Sequence, residues 1–334
     1  MNDLVSVVIV NYNGKNLLEE CLRSVYAQPY RPIEVIVVDN ASIDGSMQFV
    51  STRFPEVRCI LNTRNLGFAG GSNRGVAEAS GEYIVLVNND TVVGHNWLPG
   101  LLDMMRQPGV GVVASRVVTE GIPPADYALN GTLNFIGYNI MRVFTDLSMV
   151  FYASAASLMF RKSIVGAPFR NEYFLYHEDV YLSWRLRLQG YDIRMAQASV
   201  VHHRGSVTTK RQKSELVRFY QQRNRLLNCL LFYEKRTLRV LLPYFFLDAV
   251  GTLFFDVVRG GTSARGTLRA YGWLARNAGS IRFERAWLQL ERSRKDAEIM
   301  KFMSDRVLNG NSVFARGANG LARMYARLTG LDHA

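Results

Sequence analysis

The chain has 334 residues, 48% of them hydrophobic and 20% charged, enough apolar content for a buried core and a length that fits one large domain with an appendage, or two domains. Cys21, Cys59 and Cys229 lie far apart and form no CxxC pair, which excludes a disulfide framework and a thiolate zinc site and fits a reducing compartment. The net charge of +12 is uneven: residues 1–205 carry 17 Lys and Arg against 18 Asp and Glu, and residues 206–334 carry 23 against 10, so a near-neutral module precedes a basic region.

MNDLVSVVIV at the start has no basic segment ahead of its short apolar run and reads as a first strand, not as a signal peptide, so a cytoplasmic location is expected. VSVVIV (5–10), IEVIVV (33–38), VRCIL (57–61) and YIVLV (83–87) are short β-branched runs suited to a sheet buried on both faces. Leu17, Leu18, Cys21, Leu22 and Val25 recur at helical spacing, and Asn73 to Ala79 can form a second helix. Strand and helix in alternation predict an α/β domain with a mainly parallel, helix-covered sheet.

Polar residues collect where these strands stop: Asn11-Tyr12-Asn13-Gly14, Asp39-Asn40-Ala41-Ser42 and Asn88-Asn89-Asp90. Each alone reads as a turn, but ligands of parallel sheets bind outside the carboxyl ends of the strands, and three such ends share one edge. The glycine-rich stretch GFAGGSNRG (67–75) lacks the Gly-Lys-Ser/Thr of a phosphate loop and the GxGxxG spacing, so it predicts close backbone packing at a helix start. Residues 120–160 are rich in Gly, Pro and Asn without clear periodicity and suit an acceptor loop.

In YHEDVYLSWRLRL, Val180, Trp184 and Leu188 fall on one helical face, which puts Glu178 and Asp179 in a first turn, where acids also cap a helix and complement its dipole. His202 and His203 follow an apolar run just where the neutral module ends, and neither is separable from the other as a ligand. In the basic region, VLLPYFFLDAVGTLFFDVV (240–258) is long enough to span a membrane but contains Asp248, Asp256 and Pro243. The expected reading is apolar-faced helices flanked by arginines and lysines on an anionic membrane surface; a helical cap with a solvated basic face is the plainer alternative.

The segments VSVVIVNYNG, IEVIVVDNASIDGS, NLGFAGGSNRGVAEASGEYIVLVNND and FLYHEDVYLSWRLRLQGY, in that order over about residues 4–205, resemble the family 2 glycosyltransferases with the nucleotide-diphospho-sugar (GT-A) fold, and most nearly the rhamnosyltransferase-like enzymes of bacterial cell-surface polysaccharide assembly. The resemblance implies a catalytic domain over residues 1–205 and an inverting transfer from a nucleotide-diphospho-sugar, dTDP-rhamnose as first guess, to a glycan or lipid-linked hydroxyl. It implies that Asp39 reads the nucleoside, with Asn11, Asn13, Asn40, Asn73 and Asn89 around it. Asp90 matches the last residue of the family's DxD motif, which binds Mg²⁺ or Mn²⁺ on the sugar diphosphate, with His203 or His202 as a helper. Asp179 matches the catalytic base of the family's ED motif, beside Glu178.

Several departures bear on these roles. Asn88 stands where the fuller motif has an acid, so fewer charged metal ligands are expected. Tyr181 replaces a further Asp, and GAPFR (166–170) replaces a Gly-Gly-Phe-Asp, both on the acceptor side. A competing class is a nucleic-acid-binding or scaffold protein on a nucleotide-binding fold, its basic region gripping phosphates. Against it, the acids cluster at strand ends, the bases lie elsewhere, and no nucleic-acid motif is recognisable. A nucleotidyltransferase would need a basic triphosphate loop after the first strand, of which Asn11 to Lys15 is a poor version.

Overall fold

A computed structural model describes residues 3–119, 131–140, 150–204, 214–258, 261–307 and 313–329. The chain divides into two compact units, and the division is interleaved: residues 131–142 and 184–190 belong with the C-terminal residues 212–334, the remainder with the N-terminal unit.

The N-terminal unit contains β1 (Val5–Asn11), α1 (Lys15–Tyr26), β2 (Ile33–Asp39), α2 (Ser46–Arg53), β3 (Arg58–Leu61), α3 (Gly67–Glu78), β4 (Tyr83–Asn88), β5 (Thr91–Val93), α4 (Trp97–Met105), β6 (Val110–Thr119), β7 (Ser157–Arg161), α5 (Lys162–Val165), the start of α6 (Glu178–Leu188), and β8 (Asp192–His203). One sheet runs β3-β2-β1-β4-β7-β6-β8-β5. Its first four strands are parallel, whereas β7 is antiparallel to both β4 and β6, β8 is parallel to β6, and β5 closes the edge antiparallel to β8.

Successive residues of β1 are sealed on both sides, Val7 at 0% and Val8 at 1% exposure, because helices cover both faces. The strand ends lie level: Asn11 pairs with Asp39 and Val10 with Asn88. The order 3-2-1-4 reverses at β1, so the crevice beyond Asn11 and Asn88 is a topological switch point, where open α/β sheets bind ligands.

Helix α3 begins at Gly67, six residues before the expected start at Asn73. Gly67 sits at φ +71°, where L side chains strain, and a Cβ there would strike Phe174. Phe174 in turn offers its carbonyl to the backbone N–H groups of Phe68 (2.7 Å) and Ala69 (3.3 Å), satisfying two of the helix's orphan donors. One turn apart, Gly71 and Gly75 leave room for Val10 and Val8 of β1, so the stretch is a close-packing device, as its motif-free spacing predicts. Residues 157–161 of the expected loop form β7, because the edge of β4 is otherwise unpaired; residues 120–130 and 141–149 of that loop lie outside the described residues.

The C-terminal unit is helical: the end of α6, α7 (Ser214–Phe232), α8 (Lys235–Val258), α9 (Thr262–Arg276), α10 (Ala278–Leu290), α11 (Asp296–Ile299) and α12 (Val313–Thr329), with the segment 131–140. Trp184 packs on Phe232 and Tyr233 with ring centroids 5.5 and 4.8 Å away. Both acids of the apolar run are tied inside this unit. Asp248 meets the buried Arg225 at 2.6 Å, and Asp256 accepts from Arg218 at 2.9 Å and from the Thr267 hydroxyl at 2.7 Å. Helix α8, 24 residues long, is by length and composition apolar enough to cross a membrane, and only 17% of its most apolar 18 residues are buried within the protein.

Candidate active site

At the switch point the side chains of Asn11, Asp39, Ser42 and Asn89 form one network. Asn11 donates its amide to Asp39 Oδ1 (3.1 Å) and the Ser42 hydroxyl (3.2 Å), and accepts from the Asn89 amide at 2.9 Å. Ser42 closes a turn on the same carboxylate, giving its hydroxyl to Oδ1 (2.5 Å) and its backbone N–H to Oδ2 (2.9 Å). A buried carboxylate is tolerated when donors surround it, and Asp39 is 4% exposed with three of them. Gly14 makes the arrangement possible, since a Cβ there would run into the Asn89 amide nitrogen and the Asn11 side-chain oxygen Oδ1.

Asn13, at φ +50°, accepts the Ile43 N–H on its side-chain oxygen at 2.8 Å and gives its backbone N–H to Ser42, and so fixes the loop rather than the carboxylate. Asn40 reaches the Gly67 carbonyl (2.9 Å) and accepts from Asn62 (2.9 Å). Asn73 is apart from this group: its amide bonds the Phe169 carbonyl (2.6 Å) and Asn171 (2.8 Å), and its oxygen accepts the Phe169 N–H.

Beside the network, three groups converge. His203 Nε2 lies 3.0 Å from Asp90 Oδ1 and 3.3 Å from the Asn88 amide nitrogen. The pairing of β5 with β8 causes this, as His203 stands opposite Thr91 and the Asp90 carbonyl takes the Arg204 N–H. Strand alternation turns His202 to the other face, where it is exposed. A single imidazole nitrogen cannot accept from an amide N–H and donate to a carboxylate at once. Asp90 Oδ1 and His203 Nε2 stand close enough together that the two could hold a cation between them. Among the described residues no third His, Cys, Asp or Glu joins them, so a metal here would take two charged or imidazole ligands from the protein, in keeping with the amide at Asn88.

Glu178 and Asp179 open α6 after a strained approach, with Phe174, Tyr176 and His177 all at positive φ. Glu178 is 8% exposed, and among the described residues its Oε2 has no hydrogen-bond partner. Burial, reinforced by the charge of Asp179, pushes its carboxyl well above the usual range. Asp179 is less enclosed and takes the backbone N–H groups of Val180 (2.8 Å) and Ala155 (3.4 Å); burial raises its carboxyl too, partly offset by those donors. The segment before β7 links the two halves of the site, because Ala155 reaches Asp179, Ala153 donates to Ser183, and the Ala156 carbonyl holds the Asn88 N–H at 3.1 Å.

The sequence places Ser42 in a strand-end turn without a role in the site, and a serine three residues after a strand-end acid is the signal of the Asx-type turn by which it holds Asp39. The backbone donor of Ala155 has no side-chain signature.

Residues 6–166 match the family described as Glycosyl transferase family 2. The chain is 27% identical over 249 residues to the N-acetylglucosaminyl-diphospho-decaprenol L-rhamnosyltransferase of Mycobacterium tuberculosis, covering 65% of this chain and 81% of that one. It is 26% identical to the hexosyltransferase Agl10 of low-salt glycan biosynthesis in Haloferax volcanii, covering 68% and 76%. Among solved structures, the mannosyltransferase PcManGT of Pyrobaculum calidifontis, in complex with GDP-Man and Mn²⁺, superposes with a TM-score of 0.52 at 15% identity, over 100% of this chain and 87% of that one. GalNAc-T7 with UDP, GalNAc and Mn²⁺ superposes with a TM-score of 0.59 at 14% identity over 71% of this chain, which spans half the length of that protein. With the sheet, the strand-end network and these likenesses together, the domain over residues 6–166 belongs to the family 2 glycosyltransferases, inverting enzymes on the GT-A fold.

Proposed function

We propose that the chain transfers a sugar, with inversion, from a nucleotide-diphospho-sugar to a hydroxyl of a lipid-linked glycan in cell-surface polysaccharide assembly. The observation that carries this reading is the meeting of the Asp39 network with the Asp90, His203 and Asn88 trio at the switch point, with Asp179 joined to the same strand ends through Ala155. Asp39 accepts hydrogen bonds from the nucleoside, which exchanges for part of its present set; Asn11 and Asn89 hold the carboxylate in place, and Asn13 and Asn40 shape the walls. Asn73 acts at one remove, by bracing residues 169–171.

Asp90 and His203 would hold Mg²⁺ or Mn²⁺, hard or borderline ions content with one carboxylate, an imidazole and phosphate oxygens. Such an ion, when bound, neutralises the charge that builds on the departing nucleoside diphosphate. Asp179 takes the proton of the acceptor hydroxyl as its oxygen attacks the anomeric carbon. One displacement on that carbon inverts its configuration, the same stereochemical logic that separates one-step from two-step glycosidases. Glu178, held protonated by burial, keeps a second negative charge away from the base.

The first donor to try is dTDP-rhamnose, supported by the mycobacterial relative's name, which also supports a polyprenyl diphosphate-linked acceptor. Residues 206–334 bring the enzyme to the inner face of the cell membrane, where such an acceptor resides; the cytoplasm is its compartment. Supporting this are the apolar side chains that α8 and α10 leave exposed, among them Phe246 (68%), Phe254 (63%), Phe283 (69%) and Trp287 (61%), on a region with 23 basic against 10 acidic residues. Calorimetric titration of dTDP-, UDP- and GDP-sugars with and without Mn²⁺ tests the donor side. Tight binding of one donor that depends on Mn²⁺ and is lost in Asp39→Asn supports it; Mn²⁺-independent binding unaffected by that change refutes it.

A further inference from the structure

The backbone that leads into Glu178 and Asp179 is held against its own preference. Phe174, at φ +58° and ψ −62°, centres a γ-turn closed by the Leu175 N–H on the Tyr173 carbonyl at 2.6 Å, the rare and strained form of that turn. Tyr176 and His177 follow at φ +68° and +61°, a region few residues other than glycine enter. The His177 carbonyl then takes the Tyr181 N–H at 2.9 Å, which starts the helix of the two acids. Residues that cap a helix start ordinarily sit in the extended region, so α6 is entered in an unusual backbone state.

Three such residues within four persist only where their surroundings over-determine them, and α3 is the restraint. Asn73 clasps the beginning of the segment: its amide bonds the Phe169 carbonyl (2.6 Å) and Asn171 Oδ1 (2.8 Å), and its oxygen accepts the Phe169 N–H (3.0 Å). Further on, the Phe174 carbonyl accepts from Phe68 and Ala69, and Gly67 has no Cβ to push that carbonyl away. Between these two holds Tyr173 is sealed at 0% exposure, its ring 5.4 Å from that of Tyr181 on α6. Gly67 also gives its own carbonyl to the Asn40 amide, next to Asp39, so the restraint is anchored on the nucleoside side of the site. What it secures at the other end is delicate, because the Ala155 N–H reaches Asp179 over 3.4 Å and a small shift of α6 would break that bond.

We propose that residues 169–177 are a strap that sets the position of Asp179, with Asn73 and His177 as positioning residues. Asn73 keeps the strap closed on α3, and the left-handed backbone of His177 aims the first turn of α6. The catalytic consequence rests on the reading of Asp179 as the base; the mechanical one does not.

Amide hydrogen exchange on the full chain reads the strap without any substrate. In Asn73→Ala, exchange relative to the β1 amides should rise at least about tenfold at Phe68 and Ala69, and beyond the strap at Ala155, Val180 and Tyr181. Acceleration that stops at residues 169–171 overturns the inference, because the clasp then does not reach Asp179. His177→Gly and His177→Val carry the test if Asn73→Ala does not fold. Glycine adopts a positive φ freely and a β-branched residue least readily, so the same amides should exchange at least about tenfold faster in the valine variant than in the glycine one. In transfer from dTDP-rhamnose to lipid extract, kcat should be at least about tenfold lower for valine than for glycine with the donor KM alike, the split expected of a misplaced base. Equal losses in the two variants put the effect on the imidazole and overturn the backbone role. The two readings fail separately. Altered exchange at Ala155 and Val180 with full transfer in Asp179→Asn refutes the base and leaves the strap; unaltered exchange there with transfer lost in Asp179→Asn refutes the strap and leaves the base.

Discussion

Asp179 and Glu178 are adjacent carboxyls in unlike surroundings: Asp179 has two backbone donors and partial exposure, Glu178 is enclosed with one oxygen unpartnered among the described residues. If Asp179 is the base, Asp179→Asn lowers kcat by about 10²–10⁴-fold while leaving donor affinity within a few-fold, separable by steady-state kinetics and titration. Glu178 makes a claim about stability. Its carboxyl is raised in the folded state, first by burial and then by the charge of Asp179. Between the unfolded and folded pKa the folded chain therefore holds more protons, and stability falls as pH rises through that window. Glu178→Gln removes this cost, so its melting temperature should exceed wild type at pH 8 and match it near pH 4, as read by thermal scans. His203 and His202 provide an internal control: His203→Ala should raise the Mn²⁺ concentration for half-maximal activity at least about tenfold, and His202→Ala should leave it unchanged.

At the scale of elements, the parallel half of the sheet was legible because its strands are buried on both faces and write that burial as unbroken β-branched runs. The strand-end residues Asn11, Asp39 and Asn89 were legible for the converse reason, since polar groups there must find partners or a ligand. The antiparallel half was not. Ser157–Arg161 is short, lacks alternation, and becomes a strand through the free edges of β4 and β6, which local sequence does not record. The same holds for the contribution of Ala155, made by backbone alone, and for the choice between His202 and His203, which depends on the register of β5 against β8. Glycine packing yields a further test. A Cβ at Gly75 would press on Val8 and Val38 across α3, β1 and β2, so Gly75→Ala should cost about 1–3 kcal/mol by overpacking in denaturant unfolding, without change in the Mn²⁺ dependence.

For the whole molecule, basic charge and apolar exposure concentrate in the C-terminal residues while the acids proposed for the chemistry, Asp39, Asp90 and Asp179, lie in the N-terminal unit. That separation weighs against the nucleic-acid-binding alternative, as does the family match over residues 6–166. It also predicts flotation of the protein with phosphatidylglycerol vesicles at low salt, weakened by Phe246→Asp with Phe254→Asp, and reduced by high salt to the extent that the basic residues contribute. The account as a whole stands on one reaction. The measurement that tests it most directly is transfer of labelled rhamnose from dTDP-rhamnose, with UDP- and GDP-sugars alongside, to lipid extract, with and without Mn²⁺, by wild type and Asp179→Asn. Turnover of one donor that requires Mn²⁺, inverts the anomeric configuration and disappears in Asp179→Asn is the predicted result; metal-independent transfer that survives in Asp179→Asn, or transfer with retention, would contradict it.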